Sequence, residues 1–272
     1  LIMMRGIHIP GVTGNQAWLD MAKTLEYEGY TLINSTECHL NCSSKWYNQI
    51  LFERAGIRTP ETVLIAHKEG AREAFEKLEA DFPIILKTSN GSRGVGVVWI
   101  ESLKSLEAIT QLLYRENEYI DLILQEYIPI EYDVRVIVVE GDVVGAMKRP
   151  VPKGDFRSNV AQGSEPITHE LTDREIEESI RAAKSVGGSV TGVDFMPAED
   201  REGESPYFIE VNSTPGLVGI EEAEKKRTSV TQDILKKYFN RTRWTNHSDF
   251  PDKTYLGKTK YNVKNDQGQK IK

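Results

Sequence analysis

Only two of the 272 residues are cysteine, Cys38 and Cys42, so no disulfide framework can staple this chain. Cys38-His39 with Cys42 could open a metal site, but no second cluster completes it. Long apolar runs are also missing: Val136 to Val139 and Pro83 to Leu86 fall far short of the roughly 20 residues that a bilayer crossing needs. The opening Leu1-Ile2-Met3-Met4-Arg5 holds no apolar stretch of signal-peptide length, so the expectation is a cytoplasmic chain, and its Asn-x-Ser/Thr sequons then carry no weight. The histidines are few and scattered (His8, His39, His67, His169, His247). His169-Glu170 has no second His four residues on, which removes the zinc-protease helix motif, and no Gly-x-Ser-x-Gly elbow occurs.

Positive charge is scarce in most of the chain. Lys and Arg number 34 against 41 Asp and Glu, a net charge of −7. From Asn240 onward eight basic residues face three acidic ones, a local balance of +5 that leaves −12 on residues 1–239. An acidic body argues against an enzyme that grips a nucleic-acid backbone. With 39% hydrophobic residues and a mean hydropathy of −0.44, the chain still has enough apolar material for a folded core.

Helix start and stop signals divide the chain. A short irregular start, Gly6 to Gly14, precedes a helix over Ala17–Glu28 that stops at Gly29. Ser44 caps a helix through Arg54, closed by Gly56 with Pro60 beyond. Further helices are expected over Glu69–Glu79, from the Ser102 cap to Leu113, from the capping box Thr172-Asp173-Arg174-Glu175 to Gly187-Gly188, and over Thr228–Tyr238. Strands are expected at Pro83–Lys87, Val97–Ile100, Leu122–Tyr127, Val134–Val139, Val143–Lys148, Val190–Met196 and Tyr207–Val211. Four domain segments follow: a short N-terminal stretch 1–43, a small lobe 44–120, a large lobe 121–239, and a polar basic tail 240–272.

Four constellations carry chemistry. Lys87 ends a strand and Gly91-Ser92-Arg93-Gly94-Val95-Gly96 follows, a loop able to aim backbone N–H groups at a phosphate; a plain glycine turn fits the same residues. Asp194 on one strand, with Glu210 and Asn212 on the next, supplies three oxygen donors suited to Mg²⁺. Strand period puts Phe208, Glu210 and Asn212 on one face, and a solvated edge strand is the alternative. Gln125-Glu126-Tyr127-Ile128-Pro129 leads into a kinked connection that either reads an adenine edge or simply crosses between lobes. Arg135, set among Val134, Val136 and Ile137, needs an anionic partner, either a ligand or a salt bridge to Asp133 or Asp155.

Taken in order, Lys87, Gly91–Val97, Gln125-Glu126-Tyr127-Ile128, Asp133-Val134-Arg135, Gly154-Asp155-Phe156-Arg157-Ser158-Asn159, Gly192-Val193-Asp194 and Glu210-Val211-Asn212-Ser213-Thr214-Pro215-Gly216-Leu217 resemble the motifs of the RimK-type amino-acid ligases. The resemblance spans about residues 17 to 238. It implies an α+β ATP-grasp fold with two lobes clamping ATP. Lys87, Ser92, Arg93, Gly94 and Gly96 would then serve the phosphates and Glu126 and Tyr127 the adenine, with Lys45, Gln125 and Ile128 also binding the nucleotide. Asp133 and Arg135 would lie by the ribose side, with Arg157, Ser158 and Asn159 near the phosphates and acceptor. Arg149, Arg157 and Asn159 would be catalytic, and Asp194, Glu210 and Asn212 would hold two Mg²⁺ or Mn²⁺ ions.

The implied activity is ADP-forming ligation through an acylphosphate, adding an amino acid, glutamate by the closing motif, to a peptide, a protein C-terminus or a small acid. A phosphotransferase and a nucleotide-binding module without ligase activity are the alternatives. No membrane or nucleic-acid partner is expected, and a homo-oligomer stays open. Two departures bear on substrate. The N-terminal segment is short for the family, and the family's Asn-Leu-His-Arg-Gly-Gly run reads Asn159-Val160-Ala161-Gln162-Gly163-Ser164.

Overall fold

The computed structural model describes residues 2–3, 16–90, 96–156, 166–223 and 234, all within the unit Leu1–Lys237. The irregular start, the glycine-loop tip 91–95, residues 157–165, the expected helix 228–238 and the basic tail lie outside the described residues, Ile234 excepted.

In chain order the elements begin with β1 (Ile2–Met3), α1 (Gln16–Tyr27), β2 (Leu32–Ile33), α2 (Thr36–Ser43), α3 (Lys45–Arg54), β3 (Thr62–Ile65), α4 (Ala71–Leu78), β4 (Ile84–Thr88), β5 (Val97–Ile100) and α5 (Leu103–Glu116). There follow β6 (Leu122–Glu126), β7 (Tyr132–Val139), β8 (Asp142–Pro150), β9 (Ile167–Thr168), α6 (Asp173–Ser185), β10 (Val190–Met196), β11 (Tyr207–Asn212) and α7 (Val218–Ala223). Hydroxyl caps start four of the helices. Ser35, Ser44, Ser102 and Thr172 accept from the backbone N–H three residues on, and Glu175 completes a capping box by accepting from the Thr172 N–H. The Ser44, Ser102 and Thr172 starts are legible in the sequence. The Ser35 start of α2 and the short strand β3 are not, because four to eight residues give too little periodicity to separate helix, strand and loop.

Two antiparallel sheets organise these elements. Strands run β3-β6-β4-β5 in one and β11-β10-β7-β8-β9 in the other. Strand β6 pairs with β4 and β3, so the smaller sheet extends to Glu126, past the boundary drawn at residue 120. Each sheet buries one face. On the four-stranded sheet, Ile84, Leu86, Ile100, Leu122 and Leu124 pack with Ala71, Ala74 and Leu78 of α4 and Leu106 of α5. On the five-stranded sheet, Val134, Val136, Val193, Phe195, Phe208 and Val211 pack with Phe52 of α3 and Ala182, Ala183 and Val186 around α6. Helix α3 therefore belongs to the core of the larger sheet, although the sequence assigned its residues to the small lobe.

Strand β11 departs from simple alternation. Asp194 pairs with Glu210 and Phe195 with Phe208, so the register shifts by one residue at Ile209, a β-bulge. Phe208 and Val211 both enter the core as a result, while Glu210 and Asn212 face the other way. This corrects the expectation that Phe208 shares a face with Glu210 and Asn212. A buried aromatic and a pair of polar ligating groups cannot both be served by strict period-two geometry, and the bulge resolves the conflict.

Candidate active site

The faces of the two sheets turned away from these core clusters carry the chemistry. On the five-stranded sheet, register sets Asp133 opposite Arg149, Arg135 opposite Asp194, Asp194 opposite Glu210 and Gly192 opposite Asn212. Arg149 grips Asp133 bidentately at 2.6 and 2.5 Å and also reaches Asp194 at 3.2 Å. Arg135 grips Asp194 bidentately at 2.7 and 2.5 Å. The partner of Arg135 is thus Asp194, neither of the two aspartates proposed from sequence.

Asp133, Arg149 and Asp194 are all at most 4% exposed. Burial alone would raise the pKa of Asp194, but the guanidiniums of Arg135 and Arg149 more than offset it and hold the carboxyl below its usual range. Burial would likewise strip the charge from Arg149, and Asp194 and Asp133 keep it firmly protonated. The result is a row of alternating charges fixed by bidentate bonds.

Next to this row, Asn212 Nδ2 donates to Glu210 Oε1 at 3.0 Å. The donor chemistry fits a hard divalent cation, since carboxylate and amide oxygens are what Mg²⁺ prefers. Glu210 and Asn212 fit without rearrangement of the charged row. Both oxygens of Asp194 accept from guanidiniums, and Oδ1, which accepts from Arg135 Nε, keeps a second lone pair that a cation can use. Among the described residues no three His, Cys, Asp or Glu side chains cluster as a metal site. Cys38, His39 and Cys42 accordingly form none. The Cys42 thiol is pushed well up by its hydrogen bond with Cys38, by burial and by the charges of Cys38 and Glu210, so it stays protonated at neutral pH.

The smaller sheet supplies the lysine. Lys87 Nζ donates to Gln125 Oε1 at 2.5 Å, and Gln125 Nε2 donates to Thr62 Oγ1 at 2.8 Å. Desolvation lowers the Lys87 ammonium to about 8, the charge of Lys45 pushes in the same direction, and Glu210 opposes. Lys45, Lys87 and Glu210 therefore share one electrostatic neighbourhood, bridging the two sheets. The Lys45 N–H donates to the Ser89 carbonyl at 2.9 Å, which ties the start of α3 to the end of β4. Gly96 sits at φ 78°, and a Cβ there would lie 2.9 Å from Thr88 Oγ1, so the base of the loop tolerates only glycine.

At the kinked connection, Glu126 Oε1 accepts from the Glu61 N–H at 2.8 Å, and the half-buried Tyr127 ring meets Trp99 edge-on at 4.6 Å. Trp99 also meets Phe156 at 5.4 Å, and Ile128 is half-buried beside Tyr127. The structure thus brings together Lys45, Lys87 and Gln125 in one group and Asp133, Arg135, Arg149, Asp194, Glu210 and Asn212 in another. Ser92, Arg93, Gly94, Arg157, Ser158 and Asn159 lie outside the described residues.

Buried amides form a feature that sequence reasoning missed. Asn34 accepts from the Ser189 and Val190 N–H groups and donates to the Val190 and Ser213 carbonyls, joining β10 to the turn after β11. Asn48 and Gln49 bond to the backbone of β11. Single polar residues inside helices or after a two-residue strand carry no local signal; only their burial reveals them.

The depressed Lys87 pKa gives a pH prediction. As pH rises through about 8 the free protein loses the ammonium that an anionic phosphate would meet. ADP affinity is expected to fall above that pH, and Lys87→Arg, charged throughout, is expected to flatten the dependence. Isothermal titration with ADP from pH 7 to 9.5 checks this, and a wild-type profile flat across 8 would contradict it. The stability sign is separate. The unfolded chain holds this proton up to its higher pKa, so the half-buried lysine costs stability below about 8, and stability is regained as pH rises toward 10.5.

Comparison with known proteins gives the family and the fold. Residues 42–237 match the RimK-like ATP-grasp domain. A protein of Psychromonas ingrahamii named "Probable alpha-L-glutamate ligase" is 30% identical over 231 residues, 82% of this chain and 74% of that one. A protein of the same name from Haemophilus influenzae is 32% identical over 213 residues, 78% and 68% of the two chains. In fold, the ATP-grasp ligase PsnB complexed with minimal precursor superposes with a TM-score of 0.65 at 21% identity, covering 87% of this chain and 78% of that one. D-alanine--D-alanine ligase from Bacillus anthracis complexed with ATP gives 0.62 at 19% identity, with 80% and 72% covered. With an α+β ATP-grasp architecture and a domain match across most of its length, the chain belongs to the RimK-like ATP-grasp family and is a ligase.

Proposed function

We propose that the chain is an ADP-forming carboxylate–amine ligase that joins an amino acid, glutamate by relation to the alpha-L-glutamate ligases, to a carboxylate-bearing peptide, protein C-terminus or small acid. The observation that carries this reading is the common face shared by Asp194, Glu210 and Asn212, with Lys87 of the other sheet close enough to Glu210 to feel its charge. A solved PsnB structure contains Mg and ADP, and others hold a precursor peptide, which supports ATP with Mg²⁺ and a peptide-like acceptor here.

In the proposed reaction an acceptor carboxylate oxygen bonds to the γ-phosphorus of ATP while the bond to the β-phosphate oxygen breaks, releasing ADP. The amine then forms a C–N bond at the acyl carbon, phosphate leaves with the C–O electron pair, and the amine gives up a proton. Phosphoryl transfer asks chiefly for positioning and charge neutralisation. Lys87, Lys45 and residues of the segment 91–96 would meet phosphate oxygens. Gln125, Glu126, Tyr127 and Ile128 would edge the adenine, and Trp99 lies against that edge. Asp133 and Arg135 would line the ribose side of the cleft. Arg149 would hold Asp194 in place and lend positive charge to the transferring group, with Arg157, Ser158 and Asn159 nearer the acceptor. Glu210, Asn212 and one oxygen of Asp194 would hold two Mg²⁺ or Mn²⁺ ions, which supply charge neutralisation along the phosphates when bound.

The test is mass spectrometry of products formed from ATP, Mg²⁺, amino acids and candidate acceptors, with hydroxylamine added to trap an acylphosphate. Expected are an amide product with ADP and, with hydroxylamine, a hydroxamate. ATP binding without ADP release across the whole panel would overturn the ligase assignment for this site. Release of a stable phosphorylated acceptor would identify a phosphotransferase instead.

A further inference from the structure

Among the described strands β11 lies at the edge of its sheet, paired with β10 on one side, so its outward backbone groups need partners from elsewhere. Two adjacent residues of α3 supply them. Gln49 Nε2 donates to the Ile209 carbonyl at 3.0 Å, and Asn48 Oδ1 accepts from the Val211 N–H at 2.8 Å. Between these two anchored residues stands Glu210. The carbonyl of Arg58 accepts from the Phe208 N–H at 2.9 Å and fixes the strand one step earlier.

The arrangement is built at a cost. Asn48 and Gln49 are 1% and 2% exposed, and burying an amide costs free energy that its hydrogen bonds must offset. Asn48 is itself oriented, donating Nδ2 to the Asn41 carbonyl at 2.6 Å. Gln49 Oε1 has no hydrogen-bond partner among the described residues, so the service of this side chain lies in its donor end. Ile209 is moreover the bulged residue, left out of the pairing with β10, so the strand bends locally beside Glu210. A slip of one residue would turn the Glu210 carboxylate into the core face.

We propose that Asn48 and Gln49 form a positioning clamp that holds the backbone on both sides of Glu210 and so aims its carboxylate at a divalent cation. The proposal rests on the reading of Glu210 as a metal ligand. An edge cover with no functional role would lower stability when removed but leave cation affinity alone, and the two roles separate on that ground.

The experiment titrates Mn²⁺ by electron paramagnetic resonance into the full chain with saturating ADP, and separately measures ADP affinity in EDTA. The variants are Gln49→Met, which keeps size but loses the donor, and Asn48→Ala. Mn²⁺ affinity is expected to weaken about tenfold or more, the scale seen for groups that orient metal ligands, while ADP affinity in EDTA stays at the wild-type value. Cooperative melting establishes that each variant is folded; if either is not, Gln49→Leu, similar in size and without any donor, gives the same reading. Wild-type Mn²⁺ affinity in the folded variants overturns the clamp. Glu210→Gln, run alongside, separates the two levels. Loss of Mn²⁺ there with retention in the clamp variants refutes only the clamp, whereas retention in Glu210→Gln refutes the metal reading and the clamp with it.

Discussion

Glu210→Ala is expected to reduce ligase turnover by at least about 10²-fold, the effect of removing one preorganised charge at a phosphoryl-transfer site, while the protein still melts cooperatively. The two halves of that expectation come from opposite faces of one strand. Phe208 and Val211 carry the packing of β11, being fully buried in the core of the larger sheet. Glu210 is half-buried on the other face, where its neighbours are Asn212 and, electrostatically, Lys87. Removing its carboxylate takes away no core contact. It also withdraws the charge that helps keep Lys87 protonated, so nucleotide affinity is expected to become more sensitive to alkaline pH than in the wild type. ADP release in a coupled assay, read beside a melting curve, checks the result. Turnover at the wild-type level would refute the role given to Glu210.

Arg149→Met has the larger consequence for stability. One guanidinium serves two buried aspartates, Asp133 through a bidentate bond and Asp194 at 3.2 Å. Removing one member of a buried, hydrogen-bonded pair leaves charge without compensation, which costs about 3–5 kcal/mol. Unfolding in urea should show a loss of that size, and the loss should shrink at acid pH. The reason is that Asp194, held below its usual pKa by Arg135 and Arg149, stabilises the fold while ionised, and that contribution disappears as pH falls through its depressed pKa. The double replacement Asp133→Leu with Arg149→Met is expected to regain part of the stability without regaining activity. A single Arg149→Met variant as stable as wild type would show that the row of alternating charges has no structural role.

Much of the local structure was legible because its causes are local. Ser44, Ser102 and Thr172 start helices by accepting specific backbone N–H groups, and Gly29, Gly56 and Gly187 end them at positive φ. The donor types at Asp194, Glu210 and Asn212, and the lysine before a glycine loop, were equally visible, since chemistry is carried by residue type and order. The partner of Arg135 was not. Asp133 and Asp155 are its near neighbours in sequence, whereas Asp194 lies 59 residues away and meets it only through the pairing of β7 with β10. Strand β6 was legible as a strand, but its place between β3 and β4 was not, because strand propensity says nothing of which sheet a strand joins.

The sequence by itself determined the element types, the capping chemistry and the inventory of ligating groups, all set by interactions within a few residues. Tertiary structure alone decided how those groups are aimed. The bulge at Ile209, the pairing of Asp194 with two arginines, and the hold of Asn48 and Gln49 on the backbone around Glu210 each depend on contacts between separate elements, more than a dozen residues apart in the chain. Closing such contacts is a matter of burial and hydrogen-bond satisfaction in the folded state, to which local propensity contributes nothing.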